Sequence, residues 1–143
     1  IISVDDFYKP ESLRVYNDSL QTDIDNNFDW DRMFDQVFVS IEERKPIKYQ
    51  RYDWHNDNMD QWIEVPENTK IIIEGMYVLQ ERFVNYYDFK IWVSSPKEMR
   101  YQRAVERDGI KMKFWMNEWM TKEERYYELE RPDTKADIVI EGF

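Results

Sequence analysis

The 143 residues contain no cysteine, which removes disulfide frameworks and thiolate metal sites and suits a reducing compartment. A single histidine, His55, cannot build a histidine-based zinc site, and neither order nor spacing suggests a Ser-His-Asp triad. His55 therefore reads as structural or peripheral. Glycine is equally scarce. Gly75, Gly109 and Gly142 are the three present, and none stands in a G-x-G-x-x-G or G-x-x-x-x-G-K-[ST] arrangement, so the sequence as printed holds no phosphate-cradling loop. No apolar run approaches the ~20 residues of a membrane span, and no signal-peptide pattern is visible. Positive charge is in deficit: the net charge of −10 argues against a nucleic-acid or anionic-membrane surface and leaves only local basic clusters as phosphate sites. These absences together suit a cytoplasmic protein.

Large apolar side chains are abundant. Hydrophobic residues make up 42% of the chain and aromatics 17%, too many for a disordered protein, and the length suits one domain (1–143) with an aromatic core. Apolar residues at 1, 2 and 4 read as a buried parallel strand that delivers Asp5, Asp6, Tyr8 and Lys9 into a turn at Pro10. Residues 11–28 are polar and read as a surface loop. Asp29 or Asp31 then starts a helix whose apolar positions Met33, Phe34, Val37, Phe38 and Ile41 fall at helical spacing to about Arg44. Alternation from Pro46 to Trp54 and again from Gln61 to Val65 predicts an antiparallel hairpin. A second buried strand spans Lys70 to Gly75, with a short helix near Tyr77 to Phe83 and a third strand over Phe89 to Val93. Two helices, roughly Lys97 to Arg107 and Lys111 to Glu130, and a last strand over Asp137 to Ile140 complete the pattern. Strands alternating with helices imply an α/β fold with a mostly parallel sheet covered on both faces.

Several clusters could carry chemistry, each with a plainer alternative. Asp5 and Asp6 close a strand, where one carboxylate can face a site while the other caps the turn; both could equally be turn residues. Glu74 follows three isoleucines, a junction that suits a metal-binding carboxylate or an ordinary strand-end acid. Arg100, Arg103 and Arg107 share one helical face, either as a phosphate clamp or as a solvated face neutralised by Glu98 and Glu106. Tyr49 to His55 mixes flat rings with hydrogen-bonding groups, fit to stack on a planar substrate or simply to fill a core. Met112, Trp115, Met116 and Trp119 form a helical stripe that reads as core.

In sequence order these pieces resemble the uridine kinase-like branch of the P-loop kinases, which also includes nicotinamide riboside kinases and phosphoribulokinases. Ser3 to Lys9 resembles the S-x-D-[DS]-F-[YF]-K strand end, and Phe28-Asp29 with Phe34-Asp35 resembles F-D-x-P-x-A-F-D. Arg51 to Trp54 resembles P-x-Y-D-F, and Ile73-Glu74-Gly75 resembles [FIV]-E-G. Arg100 to Asp108 resembles R-x-x-R-x-x-x-R-D, and Pro132 with Ala136 to Ile140 resembles the family's last strand. The resemblance implies a three-layer α/β/α P-loop NTPase fold of the nucleoside monophosphate kinase kind. It implies ATP and Mg²⁺ as cofactors and Asp5 as general base, with Arg103 and Arg107 neutralising the transferred phosphoryl. It further implies Glu74 at the metal, and Tyr8, Lys9, Asp29, Arg51, Tyr52, Trp54 and Arg100 as substrate-binding residues.

Departures accompany the match. The position at which uridine kinases place a pyrimidine-contacting His is Asp57 here, and Gly109-Ile110-Lys111 replaces the usual Arg-Gly of the lid. In this family the phosphate loop lies on a strand and helix that precede the strand at Ile2, and the usual order 2-3-1-4-5 seats that strand between those at 71–73 and 89–93. The resemblance therefore implies roughly 20 to 40 further N-terminal residues bearing that loop, because two unpaired apolar edges make an improbable stable sheet. The expected activity is ATP-dependent phosphorylation of a hydroxyl on a nucleoside or related metabolite. The alternative is a kinase-derived nucleotide- or metabolite-binding module without catalysis. The expected partner is a small nucleoside-like molecule, with no nucleic acid and no membrane, and self-association into a homo-oligomer is left open.

Overall fold

A computed structural model describes residues 1–14, 26–109 and 113–142, with side chains of 113–117 excepted. Most of the loop expected over 11–28, the lid positions 110–112 and the side chains of Trp115 and Met116 lie outside the described residues. The chain forms two compact units, Ile1–Val78 and Leu79–Phe143.

In the first unit, β1 (Ile2–Ser3) runs parallel to β4 (Ile73–Glu74), pairing Ile2 with Ile73 and Ser3 with Glu74. The strand ends sooner than its apolar pattern predicts. Val4–Phe7 is a 3₁₀ helix capped by Ser3, whose hydroxyl accepts from the Asp5 N–H at 3.4 Å. Asp5 and Asp6 therefore lie in a helical first turn, not at an alternating strand end; a Ser cap followed by two acids favours that conformation. Beyond it, Asp29 N donates to Phe7 O at 2.7 Å and Lys9 N to Asn27 O at 2.8 Å, which lays residues 27–29 alongside 7–9.

Of the two candidate starts, Asp29 and Asp31, it is Asp29 that caps the next helix, accepting from Arg32 N at 3.1 Å. α1 (Trp30–Met33) continues through a π-helical segment, Phe34–Phe38, into α2 (Val39–Glu42). Met33, Val37 and Phe38 form its buried face. The predicted hairpin is present as β2 (Ile47–Asp53) and β3 (Asn58–Val65), with a bulge between Gln50 and Tyr52. Ile47, Tyr49 and Tyr52 bury against Phe7 and the helix, so the core of this unit is strongly aromatic, as composition predicts.

The short helix predicted near Tyr77 to Phe83 is absent; turns occupy the segment and a 3₁₀ helix follows at Val84–Tyr86. Tyr77 adopts φ 73°, a left-handed setting that no helical run tolerates. In the second unit, β5 (Ile91–Ser94) pairs in parallel with β6 (Ile138–Glu141), joined by α3 (Lys97–Asp108), α4 (Lys113–Glu130) and α5 (Pro132–Lys135). Ala104 and Met120 bury between α3 and α4 with Tyr101 and Trp119 beside them. Trp92 points at Tyr126 and Tyr127 of α4, and strand alternation turns Val93 to the opposite side, where it is 60% exposed. Among the described residues of this unit the helices lie on the Trp92 side. No helix among the described residues is long and apolar enough to cross a membrane.

Gly75 joins β4 to β1 through a close approach: at φ 131°, a Cβ built on it would sit 2.2 Å from Val4 Cγ1. Gly109 has a comparable backbone, φ 84°, but open space around it. Gly75→Ala is accordingly expected to destabilise the fold by about 3 kcal/mol or more, overlap adding to backbone strain, and Gly109→Ala by only about 1 kcal/mol. Urea unfolding of the two variants checks the difference.

Candidate functional site

The first unit gathers an aromatic box beside the turn that carries Asp5. Tyr8 lies edge-on to Phe28 at 4.7 Å between centroids and tilted against Trp54 at 4.5 Å, while Tyr52 meets Trp54 at 5.0 Å. Phe28 in turn stacks on Trp30 at 4.8 Å. Tyr8, Phe28, Trp30 and Tyr52 are buried, whereas Trp54 is 53% exposed. The Arg14 guanidinium sits 4.5 Å from the Tyr8 centroid and 5.5 and 5.8 Å from those of Tyr52 and Trp54, a cation over three π-faces. It donates to Lys9 O, to the Tyr52 hydroxyl and to Asp57 Oδ1. Asp57 also accepts from Tyr52 at 2.6 Å and from Glu11 N at 2.8 Å, and these bonds hold its carboxyl below the usual range. Burial, reinforced by Asp57, pushes the Tyr52 hydroxyl up to about 12. Lys9 donates from its ammonium to Asn26 O at 2.8 Å.

An acidic corner lies at the other end of the same turn. Tyr49 donates to Asp6 Oδ2 at 3.0 Å. Burial raises the Asp6 pKa against the opposing effects of the Tyr49 bond and Arg51, and the charge of Glu74 raises it further. The Tyr49 hydroxyl is pushed up to about 12, first by burial and then by Asp6. Asp5 and Glu74 are exposed to solvent, and Arg51 reaches Asp60 at 3.5 Å. Among the described residues no group of three or more His, Cys, Asp or Glu gathers to hold a metal. Two carboxylates with substrate phosphates and water are nevertheless a donor set that suits Mg²⁺, which demands few protein ligands. Glu74 and Asp6 fit that ion, since the β1–β4 register sets Glu74 beside Ser3, the cap of the turn that carries Asp6.

Between box and corner lies Arg32. Its guanidinium donates to Gln50 O at 2.5 Å, to Asp6 O at 3.2 Å, to Tyr8 O at 3.4 Å and to Asp29 Oδ2 at 3.3 Å, and it covers the Phe7 ring at 4.8 Å. Burial lowers its pKa and Asp29 opposes that shift, so it remains a cation.

The three arginines of α3 separate in the second unit. Arg100 is committed to Glu123 of α4 and to Ser95 O, Arg107 forks onto Asp108 at 2.7 and 2.8 Å, and Arg103 is exposed. His55 lies in the hairpin turn, its N–H donating to Asp53 Oδ1. The structure thus brings together Tyr8, Asp29, Tyr52 and Trp54 in one unit with Asp5 and Glu74 near them in the chain's own turn and strand pairing. Sequence reasoning missed Arg14 and Arg32 as members of this assembly, whereas Tyr49 lay in the candidate aromatic segment and Asp57 was noted as a departure from the family pattern. The i to i+3 spacing of Asp29 and Arg32 was the one available signal.

A parallel β1–β4 pair and a parallel β5–β6 pair joined through helices define an α/β arrangement. The phosphoribulokinase/uridine kinase family description matches residues 2–142, and the chain belongs to that family. It is 29% identical over 153 residues to a uridine kinase of Borrelia hermsii (strain HS1 / DAH), spanning 98% of this chain and 72% of that protein. A uridine kinase of Streptococcus pneumoniae (strain Hungary19A-6) is 28% identical over 151 residues, with 98% and 70% covered. The solved structure of a possible uridine kinase from Bacillus stearothermophilus superposes with a TM-score of 0.71 at 19% identity, over 97% of this chain and 70% of that one, which establishes the P-loop NTPase fold.

Asp6 offers a test of the corner. Its pKa is raised on folding, so its neutral form favours the folded state, and that stability is present below the unfolded value near 3.8 and lost as pH rises through the folded value. Asp6→Asn, which keeps an acceptor for Tyr49, is expected to raise the melting temperature at pH 7 relative to the parent, with the gap closing as pH falls toward 3.5. Thermal unfolding across that range reads the effect.

Proposed function

We propose that this protein is an ATP-dependent kinase that phosphorylates a hydroxyl of a nucleoside or a related small metabolite in the cytoplasm. The observation that carries the reading is the aromatic box of Tyr8, Tyr52 and Trp54, continuous through the Tyr8 backbone with the turn that bears Asp5. A planar base stacks on the exposed Trp54 ring, which packs against Tyr8, as flat rings do on aromatic faces. Asp29 holds the ribose hydroxyls with the lone pairs that its cap and Arg32 leave over. Lys9, Arg51 and Arg100 keep the substrate-side roles that the family resemblance implies.

Asp5 accepts the proton of the acceptor hydroxyl as its oxygen bonds to the γ-phosphorus of ATP and the bond from that phosphorus to the ADP oxygen breaks. Glu74 and Asp6 would hold Mg²⁺, which offsets negative charge on the phosphates when bound. The role of Arg103 and Arg107, to neutralise charge on the transferred group, follows from the resemblance. A second reading, a binding module that takes the nucleoside without turning it over, is favoured by the pairing of Arg100 with Glu123 and of Arg107 with Asp108.

An acceptor screen on the full natural protein, with pyrimidine and purine nucleosides, nicotinamide riboside, pantothenate and sugar phosphates and ADP release as readout, separates the two. The kinase reading expects turnover of at least one nucleoside, and Asp5→Asn is expected to lower kcat by about 10²-fold or more with the KM for ATP little changed. Nucleoside binding without ADP release establishes the binding module instead.

A further inference from the structure

One guanidinium reaches three separate stretches of the first unit at once. Arg32 lies on α1, yet it bonds the carbonyls of Asp6 and Tyr8 on either side of Phe7, the carbonyl of Gln50 in β2 and the carboxylate of Asp29. Its side chain is only 13% exposed. A buried cation persists where acceptors replace its water, and here two of the four acceptors are main-chain carbonyls of the turn that leads from Asp5 to Tyr8. The family pattern F-D-x-P-x-A-F-D leaves this position unspecified, so the role follows from the contacts alone.

We propose that Arg32 is a positioning residue for the acceptor, holding the Asp5–Tyr8 turn and the Asp29 carboxylate in one fixed setting. Its contacts are with the backbone that carries Asp5 and Tyr8 and with the side chain of Asp29, so it acts through them. The fork geometry is essential. Asp29 already accepts from Arg32 N with Oδ1, and the Nε contact to Oδ2 fixes the second oxygen, leaving the carboxylate pre-oriented toward solvent. One edge of the guanidinium reaches β2 while the other reaches the turn, so hairpin and turn cannot shift independently. A lysine keeps the charge but presents one compact ammonium that cannot meet Gln50 O, the turn carbonyls and Asp29 together. Gln50 is doubly held from this helix, since its N–H also donates to Gln36 Oε1 at 3.1 Å, so the hairpin keeps its seat when Arg32 is conservatively changed.

The inference rests on the reading of this site as a nucleoside site, and its test distinguishes the two. In the full natural protein, Arg32→Lys is expected to lower kcat/KM for the nucleoside acceptor by about 10²-fold, the scale of an ångström-level misplacement, with the KM for ATP within about twofold of the parent. Nucleoside titrations followed by tryptophan fluorescence give a readout that needs no turnover, and there the variant is expected to bind at least tenfold more weakly. Methylguanidinium is expected to restore part of the acceptor affinity to Arg32→Ala, which a general loss of packing would not allow. Unchanged acceptor kinetics and binding in Arg32→Lys overturn the proposal, as does a parallel fall in acceptor and ATP parameters with no rescue. A parent protein that binds nucleosides without turning them over sinks the kinase reading and leaves the binding comparison decisive for Arg32. A parent that neither binds nor phosphorylates them overturns both.

Discussion

A guanidinium withdrawn from water must find acceptors, and in the first unit that requirement ties the chain together at Arg32. Three segments far apart in sequence, the turn after β1, the start of α1 and the middle of β2, each give up an oxygen to it. Replacing water around a cation with fixed dipoles is favourable only when the dipoles are already aimed, so the contacts select one relative setting of these segments over others. Phe7, stacked on Tyr49 and covered by Arg32, shows the same constraint from its apolar side: the ring is fully buried only while hairpin and turn keep that setting.

Around this centre the site divides into an apolar end and an acidic end. At the apolar end, Arg14 and Asp57 neutralise one another against the rings of Tyr8 and Tyr52, so the box is lined by charge without carrying net charge of its own. Asp6 and Glu74 form the acidic end, where the parallel pairing of β1 with β4 puts the Glu74 carboxylate at the mouth of the turn. A substrate with a flat ring at one end and a phosphate-accepting hydroxyl at the other matches that polarity. Membership of the phosphoribulokinase/uridine kinase family supports a phosphotransferase of this general kind.

Regular elements were legible in the sequence where one period dominated. The hairpin, the helix after Asp29 and α3 all follow from apolar spacing, with a capping acid besides at Asp29, and they stand within a few residues of where that spacing places them. The Asp5–Asp6 turn was not, because Ile1, Ile2 and Val4 read as strand while Ser3 competes as a helix cap, and a cap is decided by local hydrogen bonding that hydrophobic alternation does not register. Tyr77 escaped for a related reason: a left-handed backbone at an aromatic residue has no compositional sign. Among the candidate site residues, Tyr8, Asp29, Tyr52 and Trp54 were legible as a motif, whereas Arg14 and Arg32 were not. Their partners are chiefly backbone carbonyls and groups as far as 43 residues away, and a carbonyl looks the same at every position of a sequence.

The claim at the centre of this account is that the turn, Asp29 and the aromatic box act as one receptor for a nucleoside. A crystal structure of the full natural protein soaked with a nucleoside tests it most directly. The account predicts the base against Trp54, a ribose hydroxyl on Asp29 and the primary hydroxyl within about 3 Å of the Asp5 carboxylate. A nucleoside seated elsewhere, or with that hydroxyl directed away from Asp5, would contradict it.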